Sequence, residues 1–217
     1  MALSNIEKTI LFVKDALKNA EAGHDWFHVE RVWKNARQIL KEEENADHEV
    51  VELAALLHDI ADSKFHDGDE EIGPLKAEAF LSSISVEQDT LIHVSNIIKY
   101  MSFKASLGSV DFHSKEMEIV QDADRLDAIG AIGIARAFHY GGFKNREIYN
   151  PAVKPVLEQT KEEYKNNKGP TINHFYEKLL LLKDKMNTPT AKKLAEKRHH
   201  FMELYLSQFF DEWNGLK

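Results

Sequence analysis

The chain has 217 residues and the balance of an ordinary globular protein, with 43% hydrophobic and 29% charged residues. That length suits one large domain, or a domain with a helical extension, and allows a substantial core. The formal net charge of -8 repels phosphate polymers and argues against non-specific binding to nucleic acid. A small phosphorylated substrate stays compatible, because a bound metal and a few cations can reverse the field inside one pocket.

The chain contains no cysteine, which excludes disulfides and thiolate metal sites. Any transition metal must therefore take His, Asp or Glu ligands. Charged residues interrupt the first 18 positions, so the apolar stretch of a signal peptide is missing. No apolar run approaches the roughly 20 residues that span a bilayer. We expect a cytoplasmic protein without a membrane segment.

Apolar residues recur at helical spacing along most of the chain, and only five prolines interrupt it. This pattern predicts an all-α protein, a multi-helix bundle folded as a single domain over residues 1–217. The predicted helices cover about residues 5–21, 25–43, 47–60, 74–82, 86–100, 114–142, 171–186 and 190–213. Residues 62–73 are predicted as a loop, and 143–169 as irregular chain with a short helix at 152–164. The third helix is apolar nearly all round, which indicates a central position.

The dipeptide His58-Asp59 ends that apolar helix. The chain also contains His24-Asp25 and His66-Asp67, and a His-Asp pair by itself has little specificity. A carboxylate at the end of an apolar helix needs a partner, because burying an unpaired charge is costly. The partner is either a backbone amide or an arginine, or a metal ion that both side chains bind.

Two further carboxylates, Asp124 and Asp127, lie three residues apart and share one helix face beside small alanines. We expect both to point into a packed interior. One interpretation is a buried salt bridge, for instance from Asp124 to Arg31, and the other is a divalent cation. Asp122 and Arg125 project elsewhere and are expected to form a surface pair.

The second helix begins after Asp25, a good N-cap residue, and this places His28 in its first turn with Arg31 on the same face. His24 and His28 lie four residues apart and would form a chelating pair only if the helix began earlier. A single histidine in a first turn is more often structural than a metal ligand, so this residue alone decides nothing.

In combination, these stretches resemble the HD-domain superfamily of metal-dependent phosphohydrolases. The resemblance lies in residues 24–32 (HDWFHVERV), 56–65 (LLHDIADSKF), 101–104 (MSFK) and 122–130 (DADRLDAIG). Residues 175–179 (FYEKL), 186–188 (MNT) and 198–199 (RH) are similar to a bacterial stand-alone subgroup. The resemblance covers about residues 20–213, with a motif core at 20–130 and a C-terminal helical extension at 171–213.

The resemblance implies that His28, His58, Asp59 and Asp124 bind one divalent metal ion. Two imidazoles and two carboxylates suit Mn²⁺, Fe²⁺, Co²⁺, Ni²⁺ or Mg²⁺, and zinc is also compatible. Such an ion lowers the pKa of a bound water and polarises a phosphoryl oxygen.

A carboxylate near the metal should orient the water or take its proton. Asp62 is the first candidate for this catalytic role and Asp127 is the reserve, although Asp62 is equally well read as a loop or helix-cap residue. Arg31, Lys64 and Lys104 lie beside the motif blocks and are candidates for binding the phosphate charge. Each of these three is, taken singly, more typical of a surface lysine or a structural arginine.

The subgroup points to nucleotides as substrates, and we expect a nucleoside triphosphate to be cleaved to monophosphate and pyrophosphate. The alternatives are a nucleotide monophosphatase, a phosphodiesterase, or a non-catalytic metal-stabilised nucleotide sensor. The native metal and the base stay open at this point, as does the assembly, for which a homodimer is one option.

Overall fold

A computed structural model of the chain describes residues 3–18, 20, 24–61, 71–101, 112–157, 160, 163 and 167–217. All regular secondary structure in these ranges is helical, which confirms the predicted all-α class. The chain divides into two compact units, residues 1–124 and 125–217. Within the described part of the chain, no helix combines the length and apolar character that a membrane span needs.

The first unit is built around one central helix. Its helices are α1 (Asn5–Ala16), α2 (Trp26–Leu40), α3 (His48–Leu57), α4 (Ile72–Ser83), α5 (Gln88–Tyr100) and α6 (Lys115–Asp127), the last of which ends just past the boundary. The helix α3 packs against α1, α2 and α5. Seven of its ten residues are buried, and this confirms the central position predicted from its apolar character.

Side-chain caps explain where the first three helices begin. Ser4 accepts a hydrogen bond from the Glu7 amide, Asp25 caps α2, and Asp47 accepts from the first amides of α3. Each cap satisfies amides that have no partner inside the helix. These starts agree with the sequence to within a residue, whereas the three helices end three to five residues earlier than predicted.

The second unit consists of α7 (Gly130–Phe143), α8 (Thr171–Glu177), the 3₁₀ helix η1 (Leu179–Lys185) and α9 (Pro189–Trp213). The long helix α9 packs against α7 and η1, and α8 packs against α7 and η1. Residues 151–157 are turns and irregular chain. The short helix predicted at 152–164 is therefore absent over 152–157, and most of its remainder lies outside the described residues.

The continuous helix predicted over residues 114–142 is wrong, because the chain breaks between α6 and α7. Ile129 is extended, with φ -125° and ψ 167°, and Gly130 has a φ of +74°. A side chain at residue 130 would be strained by that φ and would place its Cβ 3.0 Å from the Cβ of Arg198. The break therefore depends on a glycine whose place next to α9 is a tertiary feature.

The helix predicted over residues 171–186 is also interrupted. Lys178 takes φ -145° and ψ -57°, which is outside the helical region, and the chain continues as the 3₁₀ helix η1. The leucine-rich composition of this segment favours an α-helix, so packing of η1 against α8 and α9 overrides local propensity here.

Candidate metal centre

His28 lies at the centre of a cluster of potential metal ligands in the first unit. The Asp25 carboxylate accepts a hydrogen bond from the His28 amide at 2.9 Å, which fixes this first turn of α2. The imidazole is 2% exposed, and its Nε2 lies 3.6 Å from Oδ1 of Asp124 and 3.8 Å from Oδ2 of Asp59. One buried nitrogen therefore faces two carboxylates that come from separate parts of the chain.

His58 has a defined tautomer and an unused nitrogen. It follows the last residue of α3, and its Nδ1 lies 2.9 Å from the carbonyl oxygen of Ala55. A carbonyl only accepts, so Nδ1 carries the proton and Nε2 keeps a lone pair. Among the described residues, that buried Nε2 has no hydrogen-bond partner. Buried polar atoms are rarely left unpaired, and a lone pair oriented by a backbone carbonyl is typical of a metal-binding histidine.

Asp124 completes a group of three. One ligand atom each from His28, His58 and Asp124 lies within 4.8 Å of the other two, the single such group that the described residues form. A divalent transition metal bonds nitrogen and oxygen at about 2.0–2.2 Å, so two of its ligands lie at most roughly 4.4 Å apart. The 3.6 Å between His28 and Asp124 is within that limit. The donor set therefore fits a divalent cation.

Asp59 borders this group and is held by a further histidine. Its Oδ2 lies 2.6 Å from Nδ1 of His24. Burial alone would raise the pKa of Asp59, but the hydrogen bond from His24 holds it well below its usual range. An ionised carboxylate is the form that binds a metal. The sequence pattern offers His24 only as a chelating partner of His28, whereas in the structure His24 contacts Asp59 and its ring centroid lies 6.0 Å from that of His28.

The acidic residues of α6 differ in burial from what the sequence predicts. The Asp124 side chain is 44% exposed, whereas we expected it to point into a packed interior. Asp122 is fully buried, so its predicted surface position is wrong, and Arg125 donates to the carbonyl oxygen of Lys185.

Asp127, the last residue of α6, is buried and belongs to the second unit. Its carboxylate accepts a hydrogen bond from the guanidinium of Arg136. Its reserve catalytic role stays a prediction, and this ion pair argues against it.

The structure does not describe three of the remaining predicted site residues. These are Asp62, Lys64 and Lys104, and their roles therefore stay predictions. Arg31 is half-buried on α2, one turn after His28, and makes contacts of its own.

Comparison with known proteins assigns the family. The HD domain family model matches residues 26–129. The YpgQ protein of Bacillus subtilis is 39% identical, over 99% of this chain and 96% of YpgQ. A crystal structure of an HD-superfamily hydrolase from Bacillus thuringiensis is 45% identical over 96% of both chains, with a TM-score of 0.76. The chain belongs to the HD-domain superfamily.

A second solved structure is that of Bacillus subtilis YpgQ in complex with ADP. It is 36% identical and covers 95% of this chain and 94% of YpgQ, with a TM-score of 0.75. Membership in the HD-domain superfamily confirms the resemblance read from the motifs and makes the chain a hydrolase of that superfamily. HD domains bind divalent metals, and the cluster around His28 is the candidate site for that metal here.

Proposed function

We propose that this chain is a divalent-metal-dependent phosphohydrolase that cleaves a nucleoside triphosphate to monophosphate and pyrophosphate. The observation that carries the proposal is the convergence of ligand atoms from His28, His58 and Asp124, with the carboxylate of Asp59 at its border. These residues come from three distant stretches of the chain. A buried nitrogen without a hydrogen-bond partner among the described residues, Nε2 of His58, lies in that group.

The proposed ligands of the metal are His28, His58, Asp59 and Asp124. When bound, the cation supplies positive charge that polarises a phosphoryl oxygen and acidifies a water molecule. The exposure of Asp124 leaves one side of the cluster open to solvent, as a site for water and substrate requires. Mn²⁺ is the first ion to test, followed by Mg²⁺, Ni²⁺, Co²⁺, Fe²⁺ and Zn²⁺.

The proposal of a nucleotide substrate rests on the ligand of the relative YpgQ and on cations near the site. YpgQ was crystallised with ADP, which carries a base, a ribose and a diphosphate. A similar ligand for this chain needs local cations, because the chain as a whole is acidic. We assign the binding of phosphate oxygens to Arg31, Lys64 and Lys104 on the basis of their positions in the motif blocks.

The proposed reaction is an in-line displacement at the α-phosphorus. A water oxygen forms a bond to phosphorus while the bond to the oxygen that bridges the α- and β-phosphates breaks, and pyrophosphate leaves with that electron pair. Asp62 orients the water and accepts its proton. We choose Asp62 over Asp127 because Arg136 already neutralises Asp127.

The test is a matrix of metals and nucleotides with identified products. Metal-stripped protein is reloaded with each ion and incubated with nucleoside mono-, di- and triphosphates. We expect equimolar nucleoside monophosphate and pyrophosphate from a triphosphate. Release of orthophosphate instead would assign a phosphatase, and a stoichiometric metal without turnover of any nucleotide would favour the sensor.

Two variants test the assigned roles. Asp59→Ala should lose both metal and activity, because it removes a ligand carboxylate. Asp62→Ala should keep the metal and lose rate, because it affects only the water. Asp15→Ala is the control, since Asp15 is exposed and lies on α1. Normal activity of Asp59→Ala, measured with elemental analysis of the same sample, would refute the assigned site.

A further inference from the structure

The hydrogen bond between His24 and Asp59 joins residues 35 positions apart in the chain. The two atoms, Nδ1 of His24 and Oδ2 of Asp59, are 2.6 Å apart, and both side chains are largely shielded from solvent. The carboxylate oxygen of Asp59 accepts this hydrogen bond and Nδ1 of His24 donates it. A bond to an ionised acceptor is among the stronger hydrogen bonds that a protein makes.

Helix α3 alone does not orient the Asp59 carboxylate toward the metal site. His58 and Asp59 follow the last turn of α3 and are adjacent in sequence. Adjacent side chains point about 100° apart around a helix, so α3 by itself does not direct both toward one ion. The His58 ring is oriented by the Ala55 carbonyl, which belongs to its own helix. The hydrogen bond to Asp59 comes instead from outside α3, from the residue that precedes the cap of α2.

We propose that His24 is a positioning residue that holds the Asp59 carboxylate toward the metal bound by His28, His58 and Asp124. This proposal rests on the metal site of the proposed function but not on the identity of the substrate. Substitution of a residue that hydrogen-bonds to a metal ligand typically lowers the metal affinity by about 10–100-fold. We therefore expect His24→Ala to weaken Mn²⁺ binding by about that factor while one ion per chain still binds.

The test measures Mn²⁺ binding to the full-length, metal-stripped protein by electron paramagnetic resonance and calorimetry, without nucleotide. Three substitutions of His24 are compared. Asn carries its amide nitrogen on Cγ, as the histidine carries Nδ1, so His24→Asn keeps a donor close to Asp59. Gln carries its nitrogen one bond further out and does not. His48→Ala is the control, because His48 is an exposed histidine on α3.

The expected order of Mn²⁺ affinity is wild type, then His24→Asn, then His24→Gln and His24→Ala, with His48→Ala equal to wild type. A merely structural role would not produce recovery by Asn alone. The melting temperature in EDTA verifies folding, and if His24→Ala is unfolded the contrast between Asn and Gln decides. Equal affinities of wild type and His24→Gln overturn the proposal, as does a His24→Asn variant that binds no better than His24→Gln. Wild-type protein that binds no Mn²⁺ overturns the metal site itself, and this proposal with it.

Discussion

The ion pair of Asp127 with Arg136 provides the most discriminating prediction about the acidic residues of α6. The substitution is Arg136→Met, which keeps an unbranched apolar stem and removes the charged guanidinium. The Asp127 side chain is 2% exposed and that of Arg136 is 26% exposed. Loss of the guanidinium breaks the ion pair of a buried carboxylate, a change that usually costs about 3–5 kcal/mol.

The loss of stability should lie at the lower end of that range, because Asp127 also attracts the half-buried guanidinium of Arg198. We therefore expect a loss of about 3 kcal/mol in the free energy of unfolding. In a protein of this length, 1 kcal/mol shifts the melting temperature by about 2–4 °C, so the expected decrease is about 6–12 °C. The double variant Asp127→Asn/Arg136→Met should recover part of the loss, since it also removes the carboxylate charge of Asp127.

The assay is urea denaturation followed by circular dichroism, together with calorimetry. Lys18→Met is the matched control, because the pair of Lys18 with Asp15 is exposed on both sides and should contribute less than about 1 kcal/mol. A wild-type melting temperature for Arg136→Met would refute the reasoning. Activity provides the second measurement: Asp127→Asn should keep its metal and its rate well below its melting temperature. A stable but inactive Asp127→Asn would instead support the catalytic role predicted from the sequence.

Three other perturbations have defined outcomes. Mn²⁺ at 100 times its dissociation constant should stabilise the protein by about 2.7 kcal/mol, and scanning calorimetry should show that EDTA or His58→Gln abolishes the gain. Burial, with two nearby cations, lowers the pKa of His174 from 6.5 to about 3, so only the unfolded chain gains its proton between those values. Protonation of His174 in the unfolded chain should therefore lower the free energy of unfolding by about 1.4 kcal/mol per pH unit as the pH falls from 6.5 towards 3. Urea titrations should show a shallower pH dependence of that free energy for His174→Gln. Gly141→Ala would place a Cβ 2.2 Å from Oγ1 of Thr171 and should destabilise by about 1–3 kcal/mol, whereas Gly142→Ala, with open space around it, should not lower the melting temperature.

The proposed metal ligands came from the resemblance to the HD-domain superfamily, because each residue taken singly carries only a weak local signal. His28 lies in a first turn that Asp25 caps, and His58-Asp59 ends an apolar helix. Local signals do not indicate which carboxylate remains available. Asp124 and Asp127 are equivalent in the sequence pattern, yet one lies in the cluster with His28 and the other is bound to Arg136.

The helical class, the starts of the capped helices and the types of side chain open to a metal could all be predicted from the sequence. Helical periodicity and capping depend on residues within about four positions of one another, so they can be read along the chain. The helix breaks at Ile129 and Lys178 and the hydrogen bond between His24 and Asp59 became visible in the folded chain alone. Those features depend on side chains and helices that are distant in sequence, and packing between them outweighs local preferences that differ by less than about 1 kcal/mol per residue.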